Sequence, residues 1–182
     1  MIKARFAFIA TCALFVLPAL VWAHRMDRTL QATTITLAQD HIMLHLRLTP
    51  GQDVAENIIR QMDRNGDGRL SFAERQAYVA QIEQRLSFSL NGHPAPLVAE
   101  IARFPSFTAI RTGSGIIDLQ FRIKVSLRQG TYRLAYDSQG MGPETVWLVN
   151  CLLPRDPAIH VIQQKRSVNQ SSYTLDFSVD AP

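Results

Sequence analysis

Ile117-Asp-Leu-Gln-Phe-Arg-Ile-Lys-Val-Ser-Leu127 alternates apolar and polar residues without a break. Ile117, Leu119, Phe121, Ile123, Val125 and Leu127 point one way; Asp118, Gln120, Arg122, Lys124 and Ser126 point the other. Side chains of a strand alternate between faces with period two, so the stretch predicts a β-strand with one buried and one solvated side. The same period recurs on both sides of it. Thr33, Ile35 and Leu37 lead across Gln39-Asp40 into Ile42, Leu44, Leu46 and Leu48, which suggests a hairpin. Leu86, Phe88 and Leu90 run into Asn91-Gly92, a dipeptide suited to the positive φ angles of a tight hairpin turn. Gln129-Gly130 turns the chain into Tyr132, Leu134 and Tyr136, and a last strand carries Tyr173, Leu175, Phe177 and Val179. Some seven or eight such strands predict a mainly β fold, an Ig-like antiparallel β-sandwich of two layers.

One segment breaks the period. Residues 63–74 read Asp-Arg-Asn-Gly-Asp-Gly-Arg-Leu-Ser-Phe-Ala-Glu. Ca²⁺ takes six to eight hard oxygens at about 2.3–2.6 Å, and a 12-residue loop supplies them from alternate positions. Asp63, Asn65 and Asp67 offer side-chain oxygens, and Arg69 offers its backbone carbonyl. Ser71 stands where a bridging water completes the shell, and Glu74 is the bidentate twelfth ligand. Gly68 occupies the sixth position, where the chain turns with φ > 0 and a Cβ is costly. The flanks carry helix signals. Asp53-Val-Ala-Glu56 and Ser71-Phe-Ala-Glu74 have capping-box spacing. Ile58, Ile59 and Met62 are apolar on the entering helix, and Tyr78, Val79, Ile82 and Leu86 recur at helical spacing on the exiting one. Residues 53–86 therefore resemble the EF-hand superfamily, a single helix–loop–helix inserted between the second and third strands. The bland alternative is a polar Asx/Gly surface loop. EF-hands usually pair through the eighth loop residue, here Leu70, and no second loop is present in the sequence. The helices are expected to pack on the sandwich or on another molecule, so the candidate partners are calcium and a protein docking on these helices.

The first 23 residues read as a secretory signal peptide. Lys3 and Arg5 form a basic start, Phe6 to Val21 is uncharged and apolar, and Val21-Trp22-Ala23 suits signal peptidase, placing a mature start at His24. A retained membrane anchor is the rival, but the apolar run is short for a span. Cleavage leaves 159 of the 182 residues, 24–182, expected as one domain. It takes Lys3 and Arg5 away, so the formal net charge falls from +4 to +2 and the pI near 9.4 is not a nucleic-acid signature. Of the cysteines Cys12 and Cys151 only the second remains, so no intramolecular disulfide is expected and a bacterial periplasm, or secretion, suits the chain. Cys151 lies in an apolar run and reads as a buried small hydrophobe. No later stretch reaches 18 apolar residues, so no membrane span is expected in the mature chain.

Thr145-Val-Trp-Leu-Val-Asn150, Leu153-Pro-Arg-Asp-Pro-Ala158, Gln163-Gln-Lys-Arg166 and Gln170, with Ala23-His24 and the lone loop, are similar to the extracytoplasmic domain of HupE/UreJ-like membrane proteins. Many of those continue into a multi-span region associated with nickel or cobalt handling. This sequence ends at Pro182 without such a region, so the resemblance implies a free-standing periplasmic module and not transport. It also raises a membrane protein as partner and an accessory role with nickel, cobalt or copper.

His24 at a mature N-terminus can chelate Cu²⁺ or Ni²⁺, and His41, Met43 and His45 share one strand face with ligands suited to copper. The plainer reading is an exposed polar strand face. His93 and His160 have no recognisable partner, and Trp147 reads as core or edge packing. Gly113-Ser114-Gly115 lacks the strand–elbow–helix setting of a hydrolase nucleophile, and no catalytic constellation emerges. The reading that best fits the sequence is an exported calcium-binding protein whose EF-hand stabilises a sandwich adaptor. A calcium-switched binding protein is its alternative.

Overall fold

Alternation places the strands, and the computed structural model describes residues 27–142 and 144–181. The predicted signal peptide, Cys12 and His24 lie outside the described residues. β1 (Thr29–Leu37) and β2 (His41–Thr49) form the expected hairpin, with Leu37 opposite Ile42 and Ala38 N–H bonded to the His41 carbonyl at 2.9 Å. Two helices follow, α1 (Gln52–Met62) and α2 (Phe72–Glu83). Leu86, expected on the exiting helix face as well as in a strand, opens β3 (Leu86–Leu90), which pairs with the two-residue β4 (His93–Pro94). Asn91 and Gly92 between them have φ of 51° and 78°, the two positive angles the turn needs.

β5 (Val98–Arg103) and the short α3 (Phe107–Arg111) come next, then β6 (Ile117–Lys124) and β7 (Gly130–Ser138). β6 stops at Lys124, short of the predicted end. Val125 and Leu127 instead donate backbone N–H groups to the Asp40 and Gln39 carbonyls at the β1–β2 turn, and Leu127 remains buried. β8 (Thr145–Cys151), β9 (Ile159–Arg166) and β10 (Ser172–Val179) complete the described strands.

The strands form two five-stranded sheets, β5-β6-β2-β1-β8 and β4-β3-β7-β10-β9. The protein is a β-sandwich with a helical insertion. Among the described residues every pairing is antiparallel except one: β8 lies parallel to β1, from Thr29 opposite Thr145 to Ile35 opposite Cys151. The chain leaves the second sheet at Ser138, crosses to the first and enters beside β1 in the same sense, where Thr29 N–H meets the Glu144 carbonyl at 2.9 Å.

Apolar faces of both sheets meet in one core. Leu44, Leu46, Leu119, Phe121 and Ile123 come from the first sheet; Leu134, Tyr173, Leu175 and Phe177 come from the second. Each such side chain contributes about 1.5–3 kcal/mol by leaving water. Ala55, Ile58, Ile59, Met62, Tyr78, Val79 and Ile82 of the helices join the same cluster. α3 straps α1 from outside: Arg111 Nε donates to Glu56 Oε1 at 2.6 Å, and Gln52 Nε2 to the Thr112 carbonyl at 3.2 Å. Among the described residues no helix is long and apolar enough to cross a membrane.

Candidate metal centre

The loop between α1 and α2 is built by its own side chains. α1 ends at Met62, and the Asp63 N–H closes the last turn on the Ile59 carbonyl at 2.8 Å. Asp63 then turns its carboxylate into the loop, where Oδ1 accepts from Gly66 N–H at 2.8 Å and Oδ2 from Gly68 N–H at 2.9 Å. Gly66 and Gly68 reach that position with φ of 70° and 76°, left-handed backbone that a Cβ disfavours. Two further local bonds continue the curl: Asp67 N–H to Asn65 Oδ1 at 3.0 Å and Arg69 N–H to Asp67 Oδ1 at 2.8 Å. Asn65 Nδ2 also donates to Asp67 Oδ2 at 3.0 Å.

α2 begins as its sequence predicts. Ser71 is the N-cap, its Oγ accepting from Glu74 N–H at 3.3 Å while Glu74 Oε2 accepts from Ser71 N–H at 2.9 Å and from Ser71 Oγ–H at 2.7 Å. The other Glu74 oxygen accepts from Arg64 N–H at 3.0 Å and Asn65 N–H at 3.4 Å. The Ser71 hydroxyl and N–H, with these loop N–H groups, hold the Glu74 carboxyl below its ordinary value of 4.5. Asp63 and Glu74 are each only 8 % exposed.

The capping box expected at Asp53–Glu56 does not form. α1 starts earlier, with Gly51 as N-cap and no side-chain cap bond, because Gly51 N–H is tied to the Arg28 carbonyl at 3.0 Å. Asp53 lies in the first turn, where its charge faces the positive end of the helix dipole.

The donor set suits a hard cation. Asp63, Asn65 and Asp67 alternate along the loop with the Arg69 carbonyl, and a carboxylate oxygen that accepts one hydrogen bond keeps a second lone pair. Glu74 differs, since both its oxygens already accept two hydrogen bonds. Among the described residues, no three His, Cys, Asp or Glu side chains converge into a ready-made metal cluster. The carboxylates are instead turned onto backbone N–H groups. For Glu74 to serve as a bidentate ligand it must exchange some of its cap bonds for the ion.

In comparisons with known proteins no family model matches the chain, and no curated protein or solved structure matches it.

The remaining candidate residues are held in other ways. His41, Met43 and His45 do share the outer face of β2. Each histidine faces its own carboxylate: His41 Nδ1 lies 2.6 Å from Asp40 Oδ1, and His45 Nε2 lies 3.1 Å from Asp118 Oδ1. His160 is paired similarly with Asp180 at 3.0 Å, while His93 is exposed on β4. Ser114 hydrogen-bonds Thr112 Oγ1 at 2.9 Å and the Ala109 carbonyl at 3.3 Å, which closes the end of α3 rather than presenting a nucleophile. Cys151 is buried, and desolvation pushes its thiol up to about 11. Trp147 packs over Gly140, whose missing Cβ leaves room for the ring.

Sequence reading missed α3 and the hollow beside it. Leu70 is half-buried against the core and lines that hollow of about 520 Å³ with residues 104–108. Ser106, an N-cap whose Oγ accepts from Ala109 N–H at 3.2 Å, was the available signal for α3.

Proposed function

We propose that this is an exported calcium-binding protein in which one EF-hand, 53–86 with its loop at 63–74, stabilises a β-sandwich binding module. The observation that carries the reading is the Asp63 carboxylate accepting from both Gly66 and Gly68 N–H, which curls a loop whose sequence carries oxygen donors at every second residue. Asp63, Asn65, Asp67, the Arg69 carbonyl, Ser71 through water, and Glu74 are the ligands. Calcium supplies charge neutralisation there, relieving the mutual repulsion of Asp63, Asp67 and Glu74.

A standing structural site fits the surroundings better than a switch. Ile58, Ile59, Met62, Tyr78 and Ile82 are already buried in the sandwich core, so opening the helix pair to a partner exposes surface the fold needs. With a dissociation constant of ~10–100 µM and ~1 mM free calcium, binding to the folded state alone adds about 1.4–2.7 kcal/mol. Calorimetric titration of the processed protein with Ca²⁺, Mg²⁺, Ni²⁺, Co²⁺ and Cu²⁺ tests the proposal. The expected result is a single calcium site; binding of a transition metal with no calcium heat would remove it.

A further inference from the structure

Asn65-Gly66 and Asn91-Gly92 are the two Asn-Gly pairs of the chain. Asparagine is chemically labile, and a following glycine makes it more so. The glycine nitrogen can close on the asparagine Cγ, and no Cβ stands in the way. Both pairs lie in loops, but the two loops hold the reacting atoms differently. At Asn65 each of them is tied. Gly66 N–H, the nucleophile's proton, is bonded to Asp63 Oδ1 at 2.8 Å, and a carboxylate beside an amide opposes its deprotonation. The leaving nitrogen, Asn65 Nδ2, donates to Asp67 Oδ2 at 3.0 Å, and Asn65 Oδ1 accepts from Asp67 N–H at 3.0 Å.

Asn91-Gly92 is the exposed turn between β3 and β4, with φ of 51° and 78°. Among the described residues, neither Gly92 N–H nor Asn91 Nδ2 has a hydrogen-bond partner. Nucleophile and leaving group are both free. The side-chain oxygen alone is held, since Asn91 Oδ1 accepts from Arg133 N–H at 2.8 Å. That bond draws charge away from Cγ and stabilises the oxyanion that attack creates. β4 is two residues long and pairs with β3 alone, so the turn can open locally without disturbing the core.

We propose that Asn91 is a site of spontaneous deamidation, and that the Asp63 carboxylate protects Asn65 from the same reaction. Gly92 N gives its proton to solvent base and attacks Asn91 Cγ. A C–N bond forms, the Cγ–Nδ2 bond breaks, and the nitrogen leaves as ammonia with a proton from solvent. Water then opens the cyclic imide at either of its carbonyls. One amide and one water thus become ammonia and either aspartate or isoaspartate, with no oxidant, reductant or further reactant. Both products place a negative charge on the turn. Isoaspartate also adds a methylene to the backbone of a two-residue connection, which unseats β4 from β3. Asn91 lies outside the loop at 63–74, so its chemistry does not depend on calcium.

The test is peptide mapping by mass spectrometry of the processed protein, held with chelator in mildly alkaline buffer, folded and in urea. Circular dichroism confirms that the folded sample stays folded. There Asn91 is expected to convert about tenfold faster than Asn65 or more, because attack at Asn65 must first break the charge-assisted bond at Gly66. In urea the two sites should convert at nearly equal rates. Asp63→Asn, which removes the charge facing Gly66 N–H, should speed Asn65 and leave Asn91 unchanged. Isoaspartate among the products marks the cyclic imide, because direct hydrolysis gives aspartate alone. Equal rates in the folded protein, faster conversion at Asn65, or an inert Asn91 that reacts only in urea would each overturn the proposal. An unchanged Asn65 rate in Asp63→Asn would overturn the protection, and products without isoaspartate would overturn the route through Gly92.

Discussion

Glu74 Oε1 accepts the backbone N–H of Arg64 at 3.0 Å, so the last residue of the loop is fastened to its second. The same carboxylate caps α2 through Ser71. One side chain therefore fixes both ends of the loop before any ion is considered, and its hydrogen bonds favour the charged form.

That bias has a sign in pH. The folded-state value of Glu74 lies below its ordinary 4.5, so its contribution is present above pH 4.5 and is lost as pH falls through the lowered value. In chelator, the melting temperature is expected to fall on acidification below pH 4.5. Glu74→Gln should flatten that part of the profile; an unchanged acid limb would show that other carboxylates set it.

A second set of bonds spans the two sheets inside the core. Gln31 Nε2 donates to Ser138 Oγ at 2.7 Å and to the Tyr136 hydroxyl at 3.2 Å, and Thr33 Oγ1 meets that hydroxyl at 3.0 Å. Tyr136→Phe leaves a buried Thr33 hydroxyl without its partner and is expected to cost about 1–3 kcal/mol in urea unfolding. Adding Thr33→Val removes the orphaned group, so the double variant should cost less than the sum of the singles. Burial also raises the Tyr136 hydroxyl above its ordinary 10, so this stability is present below pH 10 and is lost above it.

Gly140 sits at φ +68°, and a Cβ there would lie 2.7 Å from Trp147 Cζ2 and 2.8 Å from Thr145 Oγ1. Gly140→Ala combines left-handed strain with a clash against an indole. About 2–4 kcal/mol of stability should be lost, with a shift in Trp147 emission; a neutral substitution would mean the ring moves freely.

The fold was legible where burial imposes a pattern. Ile117 to Ile123 lie in one buried row because one face of β6 meets the core and the other meets water, and the β1–β2 and β3–β4 turns followed from local chemistry. β5 was not legible: Val98-Ala-Glu-Ile-Ala-Arg103 is exposed on nearly all sides, so no alternation was imposed on it. The parallel β1–β8 pair depends on a crossover between sheets and leaves no local mark. At the loop, side-chain type located every candidate ligand. What sequence could not give is that Glu74 is already spent on Ser71, Arg64 and Asn65. Gly51 displaced the Asp53 cap for the same reason, a tertiary bond to Arg28 that local spacing does not report.

Cys151 is buried, and desolvation pushes its thiol up to about 11. Iodoacetamide should modify it only at the rate at which the protein opens, with full reactivity in denaturant. Because the folded value is raised, the thiol's contribution to stability is complete below its ordinary value of 9.0 and is lost as pH rises towards 11. Rapid alkylation at neutral pH in native buffer would contradict this placement.

Thermal unfolding of the processed protein and of Glu74→Gln, each in chelator and in ~1 mM calcium, is the most direct measurement. Binding to the folded state should raise the melting temperature of the unaltered protein by roughly 3–10 °C, and this rise should disappear in Glu74→Gln. A rise of equal size in both, or none in the unaltered protein, would contradict a calcium site at residues 63–74.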